Sequence, residues 1–96
     1  MEKKKIIWSK ESLVDLERIF DFIGQDSKYY ATLFCEEVIE RVEFLSKHPK
    51  MGRKVPEGNS IYLREIIFKG YRIIYRIKKE NIEVATIIHG SKLLKS

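Results

Sequence analysis

The chain has 96 residues, of which 44% are hydrophobic and 11% aromatic, and it carries a formal net charge of +5. This length allows one modest core, so we predict a single domain spanning residues 1–96. The composition is typical of a folded globular protein and argues against disorder. Charged residues interrupt the apolar runs, and the basic N-terminus lacks the apolar stretch of a signal peptide. We therefore expect a cytoplasmic protein with no membrane partner.

The charge is unevenly distributed along the sequence. Residues 1–49 contain 8 Lys or Arg against 10 Asp or Glu, whereas residues 50–96 contain 11 against 4. A basic C-terminal half favours an anionic partner such as nucleic acid, an acidic protein segment or an anionic membrane, although a solvated surface has the same composition. The single Cys35 excludes an intramolecular disulfide and lies in an apolar helical pattern, which favours buried packing.

The first third of the sequence predicts a short strand followed by an amphipathic helix. Residues 5–8 are the strand candidate, and Ser9 is a suitable N-cap for the helix. Apolar residues then recur three or four positions apart to about residue 25, which is the spacing of one helix face. The opposite face, which includes Asp15, is expected to be exposed to water.

A second apolar stripe at helical spacing begins after Ser27, which we interpret as its N-cap. This helix should end near His48, because Pro49 disfavours helical geometry in the residue before it. The short break between the two helices predicts an antiparallel αα-hairpin. Residues 49–59 contain both prolines and several other turn-forming residues, so they predict a loop.

Three apolar runs in the C-terminal half predict strands joined by short hairpins. They cover residues 62–68, 71–78 and 82–89, and turn-forming residues separate them. Together with the first half they give the order β-α-α-β-β-β. This order predicts an α+β fold in which the antiparallel helix pair packs on a mainly antiparallel sheet.

Arginines recur inside these strands, at Arg64, Arg72 and Arg76. Because side chains alternate between the faces of a strand, Arg72 and Arg76 share one face of the middle strand, and its Tyr and Ile residues share the other. We expect the Tyr/Ile face to pack on the helices and the Arg face, with Arg64 as a neighbour, to line a groove or meet water. Guanidinium groups bind phosphates and carboxylates in a bidentate way. Alternatively, each arginine pairs with a helix carboxylate such as Glu37 or Asp21.

Other chemistry is sparse in the sequence. There is no phosphate loop, dinucleotide fingerprint or serine-elbow motif, and His48 and His89 have no second His or Cys at ligand spacing. We therefore expect no metal and no cofactor. His89, at a strand end, is a candidate general acid or base, or a structural residue that bonds one backbone carbonyl. Arg53, in the loop, either contacts a ligand or is simply solvated.

Four motifs follow one another in a recognisable order: HPKMGRKVPE at 48–57, LRE at 63–65, GYRIIYRI at 70–77 and IIHGSK at 87–92. With the two-helix opening, this set resembles the RelE/ParE superfamily of bacterial type II toxins, also described as plasmid-stabilisation proteins. The resemblance covers nearly the full chain. It implies a RelE-like fold and a toxin that slows or stops growth and is held inactive by a cognate antitoxin.

The superfamily divides by target. RelE-like members cleave mRNA in the ribosomal A site without a metal, whereas ParE-like members are similar in fold but poison DNA gyrase. Arg72 matches the arginine that RelE-like members use on the scissile phosphate, and other ribonuclease members use a histidine near His89. By this resemblance, Arg72 and His89 are the catalytic residues if the chain is a nuclease.

Departures from the RelE-like pattern favour the ParE-like branch. Leu63 and Glu65 stand where RelE-like members carry lysines, Lys92 stands where they carry an arginine, and the terminal tyrosine is absent. Removing cations that stabilise a reacting oxygen slows catalysis by orders of magnitude. We therefore expect a gyrase inhibitor, with a ribosome-dependent mRNA endonuclease and a basic RNA- or protein-binding module as alternatives. The residues expected to contact the target or the antitoxin are Arg53, Arg64, Arg72, Arg76 and Lys92.

Overall fold

The computed structural model describes residues 3–57 and 62–94. Its elements follow the predicted β-α-α-β-β-β order, with one 3₁₀ turn and one very short strand added inside the segment predicted as a loop. In chain order they are β1 (Lys5–Trp8), α1 (Lys10–Gly24), α2 (Lys28–Phe44), the 3₁₀ turn (Pro49–Met51), β2 (Arg53–Lys54), β3 (Leu63–Phe68), β4 (Tyr71–Ile77) and β5 (Asn81–His89). The predicted α+β class is confirmed.

Both helices begin at the predicted serine caps. The Ser9 hydroxyl oxygen accepts the Ser12 N–H at 3.0 Å, and the Ser27 hydroxyl oxygen accepts the Tyr30 N–H at 3.2 Å. The helix α2 ends at Phe44, earlier than the prediction of a helix to about His48, because its last turn tightens to bonds such as Leu45 N–H to Val42 C=O. Among the described residues, no helix is long and apolar enough to cross a bilayer.

Five strands form one sheet in the order β1-β5-β4-β3-β2. The first strand is parallel to β5, with Lys5 opposite Asn81, and all the other pairs are antiparallel. The hairpin between β3 and β4 turns at Lys69 and Gly70, whose φ angles are 47° and 84°. Two successive positive φ angles are typical of a type I′ turn, which matches the twist of the strands that it joins.

The helix pair covers one face of the sheet and closes two clusters of buried side chains. Phe34, Val38 and Val42 of α2 pack on Ile73 in the larger cluster, and Tyr75 packs with Leu45 and Ile82 in the smaller one. These contacts confirm that the Tyr/Ile face of β4 faces the helices. Cys35 packs against the larger cluster, where burial raises the pKa of its thiol, as expected for a packing residue.

A bulge in β5 ties the sheet to α1. Ile74 is paired with Thr86 and Tyr75 with Val84, so Ala85 is an extra residue in the ladder. Asp15 accepts the Thr86 hydroxyl at 2.6 Å and the Ile87 N–H at 3.0 Å. The prediction that Asp15 is exposed to water is therefore wrong. Asp15 is partly buried, because β1 pairs with β5 only as far as Val84 and the Ile87 N–H beyond that point needs another acceptor.

Candidate functional site

Arg72 lies in the middle of β4, on the face of the sheet that points away from the helices. Its side chain is almost fully buried, with 6% of the residue exposed. The next side chain on this face, Ile74, is completely buried, and β3 places Ile67 opposite Arg72 and Glu65 opposite Ile74. The predicted Arg face is therefore covered at its centre and is not an open cationic surface.

Each nitrogen of the Arg72 guanidinium group donates to an acceptor. Its Nε donates to Glu65 at 2.7 Å, and its two terminal nitrogens donate to the two carboxylate oxygens of Glu57, each at 2.7 Å. One terminal nitrogen also donates to the Lys92 carbonyl at 2.9 Å. Such bidentate, charge-assisted bonds are among the strongest in proteins. Hydrogen bonding to Glu57 raises the pKa of Arg72, so the group is always cationic.

Glu65 is the most buried member of this arrangement, with 1% of the residue exposed. One of its oxygens accepts from Arg72, and the other accepts the Nε of Arg53 at 2.7 Å. The two-residue strand β2 makes the second bond available, since it pairs Arg53 opposite Glu65. A carboxylate removed from water needs such partners. We call Arg53, Glu57, Glu65 and Arg72 the Arg72 network; its two cations balance its two anions.

The Arg72 network also holds the segment after β5 against the sheet. The Leu94 N–H donates to Glu57 at 2.9 Å, beside the bond from Arg72 to the Lys92 carbonyl. The bond from Arg72 is the main cause, and the bond from Leu94 the next, of a Glu57 pKa lowered to about 2. A surface groove of about 460 Å³ adjoins the network, and its other lining residues are Pro56, Ile67, Gly70, Gly90, Lys92 and Leu93.

Arg64 is on the opposite face from Arg72, so the expectation that it neighbours Arg72 and Arg76 is wrong. The register pairs it with Tyr75, whose side chain faces the helices. Arg64 donates to the Gly52 carbonyl at 2.7 Å, while the Tyr75 hydroxyl donates to the Pro49 carbonyl at 2.6 Å and accepts the Gly52 N–H at 2.9 Å. Burial raises the pKa of Tyr75, so its hydroxyl stays protonated. Arg64 and Tyr75 fix the 3₁₀ turn and the start of β2.

Arg76 shares the Arg72 face but lies near its exposed end. It donates to Glu83 of β5 at 3.0 Å, and its side chain is 43% exposed. The partners of Arg64, Arg72 and Arg76 are therefore loop carbonyls and carboxylates of strands and loops. The alternative of pairing with helix carboxylates is wrong for the described residues, where Glu37 pairs with Lys69 at 3.2 Å.

His89 is exposed at the end of β5. It is opposite Tyr71, which packs towards the helices, and the two rings contact edge to face at 5.7 Å. Its Nδ1 lies 2.8 Å from the Ser91 hydroxyl. The structure thus places His89 and Arg72 on opposite faces of the sheet and does not bring them together. No group of three or more His, Cys, Asp or Glu in the described part of the chain could hold a metal ion.

The family follows from a comparison with known proteins. The model of the family described as "ParE toxin of type II toxin-antitoxin system, parDE" matches residues 6–94, from β1 to the segment after β5. This chain belongs to the ParE toxin family. The matched range includes all four members of the Arg72 network.

Two curated relatives of this ParE-family chain are similar along nearly their whole length. "Putative toxin Y4kP" of Sinorhizobium fredii (strain NBRC 101917 / NGR234) is 28% identical over 92 residues, covering 94% of this chain and 92% of that protein. "Toxin RelE2" of Caulobacter vibrioides is 27% identical over 90 residues, covering 93% and 98%. A solved structure described as "Chromosomal ParDE TA system from P. aeruginosa" has a TM-score of 0.75 at 18% identity, covering 91% and 96%, and it shows the same fold.

Sequence reasoning missed Glu57 and Glu65 as partners of Arg72 in this ParE-family chain. A signal was present for Glu65, because a carboxylate inside an apolar strand needs a cation on the same face, but only the register between β3 and β4 shows that this cation is Arg72. Glu57 gave no such signal, since it lies in a loop without periodicity. Lys92 contacts the network through its backbone carbonyl, which no side-chain pattern reveals.

Proposed function

We propose that this ParE-family toxin acts by binding DNA gyrase and not by cutting RNA, and that a cognate antitoxin neutralises it. The observation that carries the proposal is the state of Arg72, the residue that a RelE-like nuclease would use on phosphate. Its guanidinium group is buried and already bonded to Glu57, Glu65 and the Lys92 carbonyl.

Phosphate binding at Arg72 would require a substrate to displace a carboxylate that is already held by two short bonds. The Arg72 network is also neutral as a whole, so little net positive charge is available there for the extra negative charge of a phosphoryl transition state. The second nuclease candidate, His89, is on the other face of the sheet. These three features support a toxin that acts by binding its target and not by catalysing a reaction.

The direct test is inhibition of supercoiling by purified DNA gyrase, with translation of a supplied mRNA in a cell extract measured in parallel. We expect added toxin to block supercoiling at a small molar excess while the mRNA stays intact. The His89→Gln variant should inhibit supercoiling as well as the unaltered chain does, since the residue is exposed and forms no part of the Arg72 network. Arrest of translation with supercoiling untouched at large molar excess would refute the proposal.

The second candidate is a ribosome-dependent mRNA endonuclease. The observation that favours it is the similarity to "Toxin RelE2", at 27% identity over 90 residues. Primer extension on translated mRNA is the appropriate measurement. If the chain is such a nuclease, we expect it to cleave mRNA in the ribosomal A site. The His89→Gln variant should then cleave at least about tenfold more slowly, as for loss of a general acid or base. If the chain is a gyrase inhibitor, neither the unaltered chain nor the His89→Gln variant should cleave the mRNA.

For the antitoxin, we propose the groove between α2 and the β2–β3 edge as the docking surface. Its volume is about 560 Å³, and Phe44, Met51 and Ile67 on its walls are 51%, 61% and 53% exposed. The charged residues that line it are Glu37, Glu40, Arg41, Arg53 and Glu65, of which Arg53 and Glu65 are bonded to each other. An amphipathic segment that carries both acidic and basic side chains fits this surface. Its apolar residues would cover the exposed walls, and its charged residues would pair with Arg41 and Glu40.

Charge insertion tests the docking surface. Met51→Glu should weaken antitoxin binding at least about tenfold, because it places a carboxylate among the apolar residues of the groove. Leu13→Glu is the matched control, since Leu13 is also an exposed apolar residue, at 52%, but lies on α1 away from the groove. Isothermal titration with the protein encoded beside the toxin gives both affinities. Equal losses for the two variants would contradict the assignment.

A further inference from the structure

One end of the sheet collects lysines from two distant parts of the sequence. The parallel pairing of β1 with β5 places Lys5 opposite Asn81, immediately after the turn that joins β4 to β5. The lysines of that turn therefore lie beside those that open the chain. We call this region the lysine end, and its members are Lys3, Lys4, Lys5, Lys78 and Lys79.

A lysine itself fixes this arrangement. The Lys4 ammonium group donates to the carbonyls of Lys78 and Lys79, each at 2.7 Å. The turn closes on itself through the Lys78 N–H and the Asn81 carbonyl at 2.8 Å. Since Lys4 binds backbone oxygens, it brings the other lysine side chains together without neutralising any of them.

Carboxylates neutralise the lysine end only in part. Glu83 lies 3.5 Å from the Lys78 ammonium group, but it also pairs with Arg76 at 3.0 Å. Within residues 3–57 and 62–94, no carboxylate lies within 4.0 Å of the ammonium groups of Lys3, Lys5 or Lys79. Glu43 and Glu80 are also near, yet five lysines and Arg76 outnumber the three glutamates.

The chemistry of the lysine end fits a phosphate backbone. Protein interfaces have cores rich in aromatic residues and arginine and poor in lysine, whereas lysine binds phosphate as a mobile point charge. Lys5 and Lys78 belong to chain segments on either side of β5, so their backbones are about 10 Å apart, two strand spacings. Three nucleotide steps along one strand of B-DNA, which join four successive phosphates, rise by about the same distance. We propose that the lysine end binds the sugar–phosphate backbone of a nucleic acid, independently of base sequence.

This binding does not rest on the proposed inhibition of gyrase. The lysine end is formed by β1 and the β4–β5 turn, whereas the proposed function is argued from the Arg72 network. Binding to nucleic acid is measured on the toxin alone, without gyrase or ribosomes. A negative result in either experiment therefore leaves the other unaffected.

The test is fluorescence anisotropy of the 96-residue chain with a labelled duplex DNA of about 20 base pairs and a duplex RNA of the same sequence. The variant combines Lys5→Gln, Lys78→Gln and Lys79→Gln and keeps Lys4, which supports the turn. The matched control makes the same change of charge at three exposed lysines elsewhere on the surface, Lys10, Lys28 and Lys50.

We expect the lysine-end variant to bind both probes at least about tenfold more weakly at 0.1 M salt. The slope of log K against log salt concentration should become shallower by about 2 to 3, as for the loss of three phosphate contacts. The affinity of the control variant should fall by less than about threefold, because it shares only the change in net charge. The tighter of the two duplexes identifies DNA or RNA as the natural source of the backbone.

Three results would overturn the proposal. In the first, the unaltered chain does not bind either duplex at low salt. In the second, the two triple variants lose equal affinity for nucleic acid. In the third, labelled polyglutamate binds as tightly as nucleic acid, which would indicate an acidic protein partner. Thermal unfolding of all three proteins checks that the substitutions leave the fold intact. If the triple variant unfolds early, Lys79→Gln alone, in the exposed turn, must still weaken binding by more than Lys28→Gln does.

Discussion

Glu65 is the residue on which the Arg72 network depends, because its carboxylate is buried and both oxygens are bonded to arginines. Of those two arginines, Arg53 has a side chain that is 64% exposed, whereas the Arg72 side chain is only 7% exposed. A pair out of contact with water is screened little, and breaking it leaves an uncompensated charge. Arg72 is therefore important first for stability, whatever the toxin binds.

Arg72→Gln should lower the free energy of unfolding by about 3 kcal/mol, because it leaves the Glu65 carboxylate buried with only one partner. Urea denaturation followed by circular dichroism measures the loss. Arg76→Gln is the control on the same strand face: its pair with Glu83 is 43% and 24% exposed, so the expected cost is below about 1 kcal/mol. Similar costs for the two variants would show that burial of the network contributes nothing.

Glu57 makes stability depend on acidity. Its pKa is about 2 in the folded chain, against an ordinary value of 4.5, so its contribution is complete above pH 4.5. As the pH falls from 4.5 towards 2, the unfolded chain takes up the proton before the folded chain does, and this contribution is lost. Glu57→Gln should remove that part of the decline in unfolding free energy with falling pH. Denaturation series at both ends of this range, for both proteins, measure the difference, and an unchanged decline in Glu57→Gln would contradict the assignment.

The chemistry of the candidate site could be predicted from the sequence only in part. Alternation along β4 correctly placed Arg72 and Arg76 on one face, because a strand has a fixed period of two. It could not show that Arg72 is covered, since the covering groups come from Glu57 in a loop and from the backbone of Lys92 and Leu94. Contacts between segments without periodicity leave no trace in a single sequence.

At the scale of elements, α1 is attached to the sheet by a polar contact as well as by its apolar face. Asp15 supplies the acceptor for the Thr86 hydroxyl and the Ile87 N–H beside the β5 bulge. Ile87 lies beyond Val84, the last residue of β5 that pairs with β1, and leaving its N–H unpaired in a partly buried position is costly. The helix and this part of β5 therefore stabilise one another.

Asp15→Ala should cost about 1–3 kcal/mol of unfolding free energy, since it leaves two donors without their acceptor. Asp21→Ala on the same helix is the control, because Asp21 is exposed, and its cost should stay within about 0.5 kcal/mol. Hydrogen exchange gives a second measurement: the Ile87 amide should exchange faster in Asp15→Ala alone. If protection of this amide were unchanged, the contact with Asp15 would not be stabilising this part of β5.

The elements with a strong period were predicted well, and those without one were not. Both helices and strands β3 to β5 have repeating apolar positions, and their serine caps and turns were visible in the sequence. Strand β2 has only two residues, Arg53 and Lys54, too few for any alternation to appear. It forms because Tyr75, Arg64 and the adjoining Gly52 hold the preceding turn against the sheet.

Gly52 shows how tight that attachment is. A Cβ atom at this position would lie 2.6 Å from both the Tyr75 hydroxyl oxygen and the Glu65 carbonyl oxygen, closer than non-bonded atoms approach. Only glycine lets the loop come near enough for its N–H to reach Tyr75. The position of Gly52 places the next residue, Arg53, within hydrogen-bonding distance of Glu65. A glycine on one face of the sheet therefore supports the Arg72 network on the other.

At the scale of the whole molecule, the charges separate by layer. The helical segment 10–44 contains 9 Asp or Glu against 4 Lys or Arg, whereas the other described residues contain 4 against 14. The sequence suggested a division between its two halves, but β1 brings the N-terminal lysines to the sheet and makes that layer more basic still. Anionic partners are therefore attracted to the sheet and its ends, and the helical layer repels them.

The strand β1 also completes the hydrophobic structure, because it joins the beginning of the chain to its last strand. Ile6 packs against both clusters of buried side chains, and Trp8 packs against the larger one. Without this strand, the hydrogen-bonding edge of β5 would be open to other molecules, which is a common route to aggregation. The two clusters thus depend on a segment of four residues.

Ile6 and Ile7 provide a matched test of that dependence, since they are identical neighbours on opposite faces of β1. Ile6→Ala should cost about 2 kcal/mol, because it removes methyl groups from the junction of both clusters. Ile7 is 37% exposed on the other face, so Ile7→Ala should cost less than about 1 kcal/mol. Both variants keep the same backbone and β-propensity, so the difference reports packing alone. Equal costs in urea denaturation would mean that β1 contributes through its hydrogen bonds and not by joining the two clusters.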